Sequence, residues 1–204
     1  DPFERFTDRG GYAPGSSADW AWLQHVAASL NERGRAAVVI DTGAASRGSG
    51  NQGENKEKAI RRWFVEQDLI EAVFLLPDNL FYNTPAAGII VVINKRKPKE
   101  RRNKVLLINA GGEFEKGRPK NFIPEAAVIK IAQAFHAGKN VERFVRLVSH
   151  EEIEKNDFNL SPSRYIETAQ AAVHRDVQTI LDELAALDRQ ARGLDGELKR
   201  VFQQ

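Results

Sequence analysis

Four short apolar runs do most to restrict what this chain can fold into: residues 35–40, 69–76, 87–93 and 104–108. Each is rich in Val, Ile and Leu and shorter than an ordinary helix, so each reads as a strand, and 35–40 as a buried one. Between the first two lies a helical stretch over 54–67 that turns Ile60, Trp63 and Phe64 inward. Another helix is predicted over 17–32, with Trp20, Leu23, Ala27 and Leu30 on one side and Ser16 and Asp19 as a capping box. Strand, helix, strand in that order implies a crossover unit and a mainly parallel sheet covered by helices. The close runs at 69–76 and 87–93 imply an antiparallel hairpin at one side of it. Past Pro124 the pattern gives a helix to about 137, a strand over 143–148, a brief helix capped by Ser149 and Glu152, and a loop over 156–164.

Composition removes several classes of function. Lys plus Arg number 30 and Asp plus Glu 28 in 204 residues, a net charge of +2, which excludes a wholesale polycation and leaves room for a local basic patch. With no cysteine there is no disulfide framework, zinc–thiolate site or cysteine nucleophile. The histidines, His25, His136, His150 and His174, show no metal-ligand spacing. Apolar runs under ten residues span no membrane, and no signal peptide is evident, so a cytoplasmic location is expected. The chain has no methionine and begins at Asp1, and is therefore expected to be part of a longer product.

Residues 167–204 carry a countable period. Val173, Val177, Ile180, Leu184, Leu187, Ala191, Leu194, Leu198 and Val201 alternate spacings of four and three, a heptad seam that suits a partner helix. Gly193 and Gly196 weaken that helix by about 1 kcal/mol each, so it would need a partner. The alternative is a helix folded back on its own domain.

Four other motifs invite a chemical reading. Gly48–Gly53 fits G-x-G-x-x-G, but its first glycine comes eight residues after Ile40 and no acidic residue ends the next strand, so a mobile loop is the expectation. Asp41-Thr42-Gly43 is similar to the aspartic-protease strand, yet that chemistry needs paired aspartates on an all-β fold. Lys95, Arg96, Lys97, Lys99, Arg101, Arg102 and Lys104 put seven cations in ten residues, either a backbone-phosphate contact or a solvated turn that protects sheet edges. Asn79-Leu80-Phe81-Tyr82-Asn83-Thr84 sets two adjacent aromatics in a polar loop at a strand end. Ligands bind there in α/β sheets, and an aromatic can stack on a flipped base; the alternative is a ring folded under the loop.

These segments, in order, carry a resemblance: 18–25 (Ala-Asp-Trp-Ala-Trp-Leu-Gln-His), 34–39, 68–73, 76–84, Phe114-Glu115-Lys116-Gly117-Arg118, Asn121-Phe122, Val148-Ser149, Glu151-Glu152-Ile153 and Asn156–Leu160. The chain to about residue 166 resembles the modification subunit of type I restriction-modification systems, N6-adenine DNA methyltransferases. The resemblance implies an α/β fold, the C-terminal part of a Rossmann-like methyltransferase sheet with flanking helices, followed by a long heptad helix. It divides the chain into 1–124, the rear half of the catalytic domain; 125–166, a helix–strand extension; and 167–204, an assembly helix.

That resemblance places the S-adenosylmethionine-binding glycine motif and the catalytic Asn-Pro-Pro-aromatic tetrapeptide upstream, so no catalytic residue falls in this chain and none binds the cofactor S-adenosylmethionine. It implies that Phe81, with Tyr82 and Thr84, meets the extruded adenine. Lys95, Arg96, Lys97, Lys99, Arg101 and Arg102 are candidates for the DNA backbone. Val177, Ile180, Leu184, Leu187, Leu194 and Leu198 are candidates for a subunit interface. The implied partners are double-stranded DNA and the specificity and restriction subunits; the alternative is a non-catalytic assembly and DNA-backbone-binding module. Where the family has an apolar residue before Arg-Gly-Gly, this chain has Ser46 before Arg47-Gly48-Ser49, which weakens any specific role for Arg47.

Overall fold

In a computed structural model the described residues are 1–51, 53, 55–167 and, further on, 181, 184, 185, 187, 190 and 191. The chain forms two compact units, Asp1–Thr168 and Ala169–Gln204. The first is a five-stranded mixed sheet with helices: α1 (Asp19–Ser29), β1 (Arg35–Asp41), α2 (Lys56–Glu66), β2 (Ile70–Leu75), β3 (Gly88–Asn94), β4 (Lys104–Asn109), α3 (Glu125–Ala137), β5 (Val145–Ser149), α4 (His150–Lys155) and α5 (Pro162–Tyr165). The strand order is β1-β3-β2-β4-β5.

The four apolar runs all became strands, but the sheet is not mainly parallel. Only β2 and β4 run parallel; β1–β3, β2–β3 and β4–β5 are antiparallel. The crossover through α2 does give β1 and β2 the same direction, and β3 returns between them to pair with both. Nor is β1 a buried strand. Among the described residues it pairs only with β3, its exposure alternates along its length, and Val39 is 52% exposed. A run buried on one face at an edge carries the same residue types as a central strand.

One face of the sheet packs against α1 and α2 through Trp20, Leu23, Ile60 and Phe64, all fully buried. Trp20 also donates its indole N–H to the Ala44 carbonyl at 2.8 Å, which satisfies the polar end of a buried ring. The other face packs Ala72, Phe74, Leu106 and Ile108 against α3 through Ile131, Ala134 and Phe135. Residues 125–166 are continuous with this core, since β5 extends the sheet beyond β4.

Two capping expectations separate. Ser149 caps α4, accepting from the Glu152 amide at 3.2 Å. Ser16 caps nothing: α1 begins after Ala18, and Asp19 receives the Ser17 hydroxyl at 3.1 Å. The expected loop over 156–164 contains the start of α5.

Candidate functional site

β2 ends at Leu75 and β3 starts at Gly88, so the aromatic turn joins them at one end of the sheet. Asn79 closes it, donating its amide to the Pro85 carbonyl at 2.7 Å from a left-handed φ of 55°. The Thr84 hydroxyl accepts from the Ala86 amide at 3.1 Å. The two rings part company here. Phe81 is half-buried against the backbone at Gly88, whereas Tyr82 is 84% exposed. One ring folds under the loop and the other stands free.

A second segment meets this turn. Residues 115 and 122 form an antiparallel bridge, and between them Lys120 and Asn121 hydrogen-bond to residues 78, 79 and 84 of the turn.

The basic segment sits elsewhere. β3 runs from the aromatic turn to Asn94, so residues 95–103 lie at its far end, roughly 20 Å away at about 3.3 Å per residue. Lys97 and Arg101 are not available to a phosphate. Lys97 is 5% exposed and donates to Asp68 at 2.5 Å and to the Ile70 and Lys104 carbonyls at 3.0 and 2.6 Å; burial pushes its pKa down. Arg101 is 8% exposed, stacks over Phe135, and donates to Glu71 at 2.9 Å and to the Phe135 and His136 carbonyls. Glu71 can receive it because the ladder slips between Ile70 and Ala72, a bulge that redirects the side chain. Asn94 donates to the same carboxylate at 2.8 Å. Lys95 is half-buried and donates to the Leu30 carbonyl at 2.5 Å, while Arg96, Lys99 and Arg102 remain exposed.

Among the described residues of the glycine-rich stretch, Ser49 and Gly50 are tied to neighbouring elements. Arg61, fully buried on α2, donates to the carbonyls of Phe158, Ala44 and Arg47 at 2.5, 3.1 and 3.0 Å and to the Ser49 hydroxyl at 2.8 Å. Burial without a directly paired carboxylate lowers its pKa to about 10. Arg47 binds Asp41 at 2.8 Å, Glu57 at 2.6 Å and Asp19, so it joins the starts of α1 and α2 to the end of β1 and is held in its cationic form. Arg47, whose specific role the departure from the family pattern weakens, is in the structure a three-way tie. The Gly50 amide, which a phosphate would need, donates to Asp157 Oδ2 at 2.7 Å; that bond, with Lys58 at 3.1 Å, holds the Asp157 carboxyl below the usual carboxylate range.

Beside this loop a cleft of about 720 Å³ is lined by Gly10, Tyr12, Lys56, Lys58, Arg62 and Phe158 among others. It does not include the aromatic turn. Among the described residues no cluster could hold a metal ion, and no helix is long and apolar enough to cross a membrane.

Of the heptad positions, Leu184, Leu187 and Ala191 are described: all three are helical and exposed, Leu184 and Leu187 at 57% and 61%. Val177, Ile180, Leu194 and Leu198 lie outside the described residues.

The described residues form a mixed α/β domain of five strands and flanking helices, and the comparisons with known proteins match it to methyltransferase structures. The family model described as N-6 DNA Methylase matches residues 2–173. The chain is 42% identical over 187 residues to the type I restriction enzyme MjaVII methylase subunit of Methanocaldococcus jannaschii, an alignment covering 90% of this chain and 31% of that protein. The type I restriction-modification methyltransferase subunit of Streptococcus thermophilus superposes with a TM-score of 0.74 at 34% identity, over 81% of this chain and 34% of that one. The EcoKI M protein has the same fold, with a TM-score of 0.58 at 17% identity over 89% of this chain and 45% of that one. The chain belongs to the N-6 DNA methylase family. It spans about a third of the length of the curated relatives it matches.

Proposed function

We propose that this chain is the C-terminal segment of a site-specific DNA adenine-N6 methyltransferase, the modification subunit of a type I restriction-modification complex acting in the cytoplasm. The observation that carries the reading is an aromatic turn at a strand end in a chain of the N-6 DNA methylase family. In the intact enzyme the target adenine leaves the duplex at a cost of a few kcal/mol, and an aromatic face recovers part of it. Phe81, half-buried beside Gly88, and Tyr82, standing free, are the rings assigned to offer such a face, with Thr84 bracing the turn.

The methyl donor of this reaction is S-adenosylmethionine. The described residues of the glycine-rich loop do not fit it: the Ser49 hydroxyl accepts from Arg61 and the Gly50 amide is taken by Asp157. The donor site and the groups that hold the adenine amino group are assigned to the rest of the enzyme, a Rossmann-like half that would join the edge of β1 left unpaired among the described residues. Residues 1–204 alone are therefore inactive in this reading. Arg96, Lys99 and Arg102 are left as contacts to backbone phosphates. The seam of Val177, Ile180, Leu184, Leu187, Leu194 and Leu198 is assigned to helices of the specificity subunit, with the restriction subunit joining that assembly; exposed Leu184 and Leu187 favour it.

The test is methyl transfer by the full-length protein with its specificity subunit, labelled S-adenosylmethionine and duplex DNA. Label recovered as N6-methyladenine supports the proposal. Label on cytosine, or none with a folded complex, contradicts it.

A further inference from the structure

The bridge between Glu115 and Phe122 belongs to the motif Phe114–Arg118 and Asn121-Phe122, which has no part in base stacking, phosphate contact or assembly as assigned so far. Its position supplies a task. Glu115 and Phe122 exchange amide–carbonyl bonds of 2.9 and 3.1 Å, and the chain between them folds so tightly that a Cβ on Gly117 would lie 2.2 Å from the Lys120 carbonyl oxygen. That fold aims the two residues after Pro119 at the aromatic turn. Lys120 Nζ donates to Asn79 Oδ1 at 2.9 Å and to the Thr84 carbonyl at 3.3 Å. The Asn121 amide donates to the Asn79 carbonyl at 3.0 Å, and its side-chain amide donates to the Asp78 carbonyl at 2.9 Å.

These donors grip both limbs of the turn. Residues 78 and 79 enter it and residue 84 leaves it, so Lys120 spans the base of the loop that carries Phe81 and Tyr82. The grip satisfies carbonyls that the turn itself leaves free, and it limits the excursions of an exposed loop.

We propose that Lys120 and Asn121 are positioning residues for base stacking: they hold the turn in the geometry that receives an extruded base. The proposal rests on the reading of Phe81 and Tyr82 as the stacking rings. Neither Lys120 nor Asn121 touches the base. Loss of their grip leaves the rings present but poorly placed, so it slows the chemical step and spares duplex affinity.

The experiment uses the full-length enzyme with its specificity subunit and a duplex carrying 2-aminopurine at the target adenine. Lys120→Ala and Asn121→Ala should each lower kcat by about tenfold, leave duplex Kd within about twofold, and reduce the 2-aminopurine fluorescence gained on binding. Lys120→Arg, which keeps a donor and the charge, should restore most of both signals. Asn79→Gly removes the nearer of the two Lys120 acceptors while keeping the left-handed backbone, and combined with Lys120→Ala it should add little further loss. Normal kcat and fluorescence in Lys120→Ala, with both lost in Phe81→Ala and Tyr82→Ala, would overturn the positioning role alone. Normal turnover in the two ring variants would overturn the stacking reading and this role with it. A folded Lys120→Ala enzyme that loses duplex affinity as much as kcat would assign Lys120 to DNA binding instead.

Discussion

The ring of Phe81 lies against Gly88 so closely that a Cβ added at 88 would come 2.8 Å from its Cε2 atom. Gly88 is also the first residue of β3 and pairs with Asp41 of β1. The seat of the aromatic turn is thus built into one end of the sheet, and the glycine is needed for space.

Gly88→Ala should therefore unseat Phe81. Overpacking of this kind costs about 1–3 kcal/mol. Differential scanning calorimetry should record a modest fall in Tm, while methyl transfer by the full-length enzyme should fall further than stability explains. An unchanged rate would mean that the seat has no bearing on the site.

Arg61 offers a different kind of test. Its four acceptors are the Ala44, Arg47 and Phe158 carbonyls and the Ser49 hydroxyl. Arg61→Leu should destabilise the domain by about 2–4 kcal/mol, because buried acceptors are left unpaired. Arg61→Lys should not recover it, since one ammonium cannot span a planar fork of acceptors. Urea unfolding of the three proteins reads this directly, and equal midpoints would contradict it.

The basic segment divides into two predicted behaviours. Lys97→Ala and Arg101→Ala should lower Tm, since each removes a buried cation from Asp68 or Glu71. Arg96→Ala, Lys99→Ala and Arg102→Ala should leave Tm alone and reduce the slope of log affinity against log salt by about 0.9 for each phosphate that is no longer neutralised. An unaltered slope in all three would end their assignment to DNA.

His150 predicts a pH dependence. Burial lowers its pKa from 6.5, Asp68 opposes that with its Oδ1 at 3.3 Å, Lys97 adds to it and Glu151 opposes it. The Asp68 contact lacks hydrogen-bond geometry, so Nε2 is left unpartnered. The unfolded chain then binds a proton near 6.5 that the folded chain resists. Stability from this group is complete above 6.5 and is lost as pH falls from there toward the folded value. Urea midpoints at neutral and mildly acidic pH should separate, and His150→Gln should shrink the gap. An equal gap in the variant would contradict the assignment.

The strands were legible because Val, Ile and Leu in short runs leave few other readings. Their order was not: nothing in residues 88–94 says that β3 inserts between β1 and β2, because that depends on how a hairpin pairs with a third strand. The aromatic turn was legible from Phe81 and Tyr82 in a polar setting, but the unequal exposure of the two rings needed Gly88. Lys97 and Arg101 misled because a buried lysine and an exposed one have the same letters around them. Arg61 was missed for a related reason, since one acceptor, Phe158, lies 97 residues away. The bridge at 115–122 had a signal in its glycine and polar residues, and only the fold gave it a neighbour.

The central claim is that this turn receives a base flipped from a duplex. It is met most directly by measuring turnover and duplex affinity together for Phe81→Ala and Tyr82→Ala in the full-length enzyme. Base stacking on these rings predicts turnover reduced by about tenfold or more, equivalent to about 1.4 kcal/mol of barrier, with duplex Kd nearly unchanged. Equal losses in turnover and affinity, or none in turnover, would contradict it.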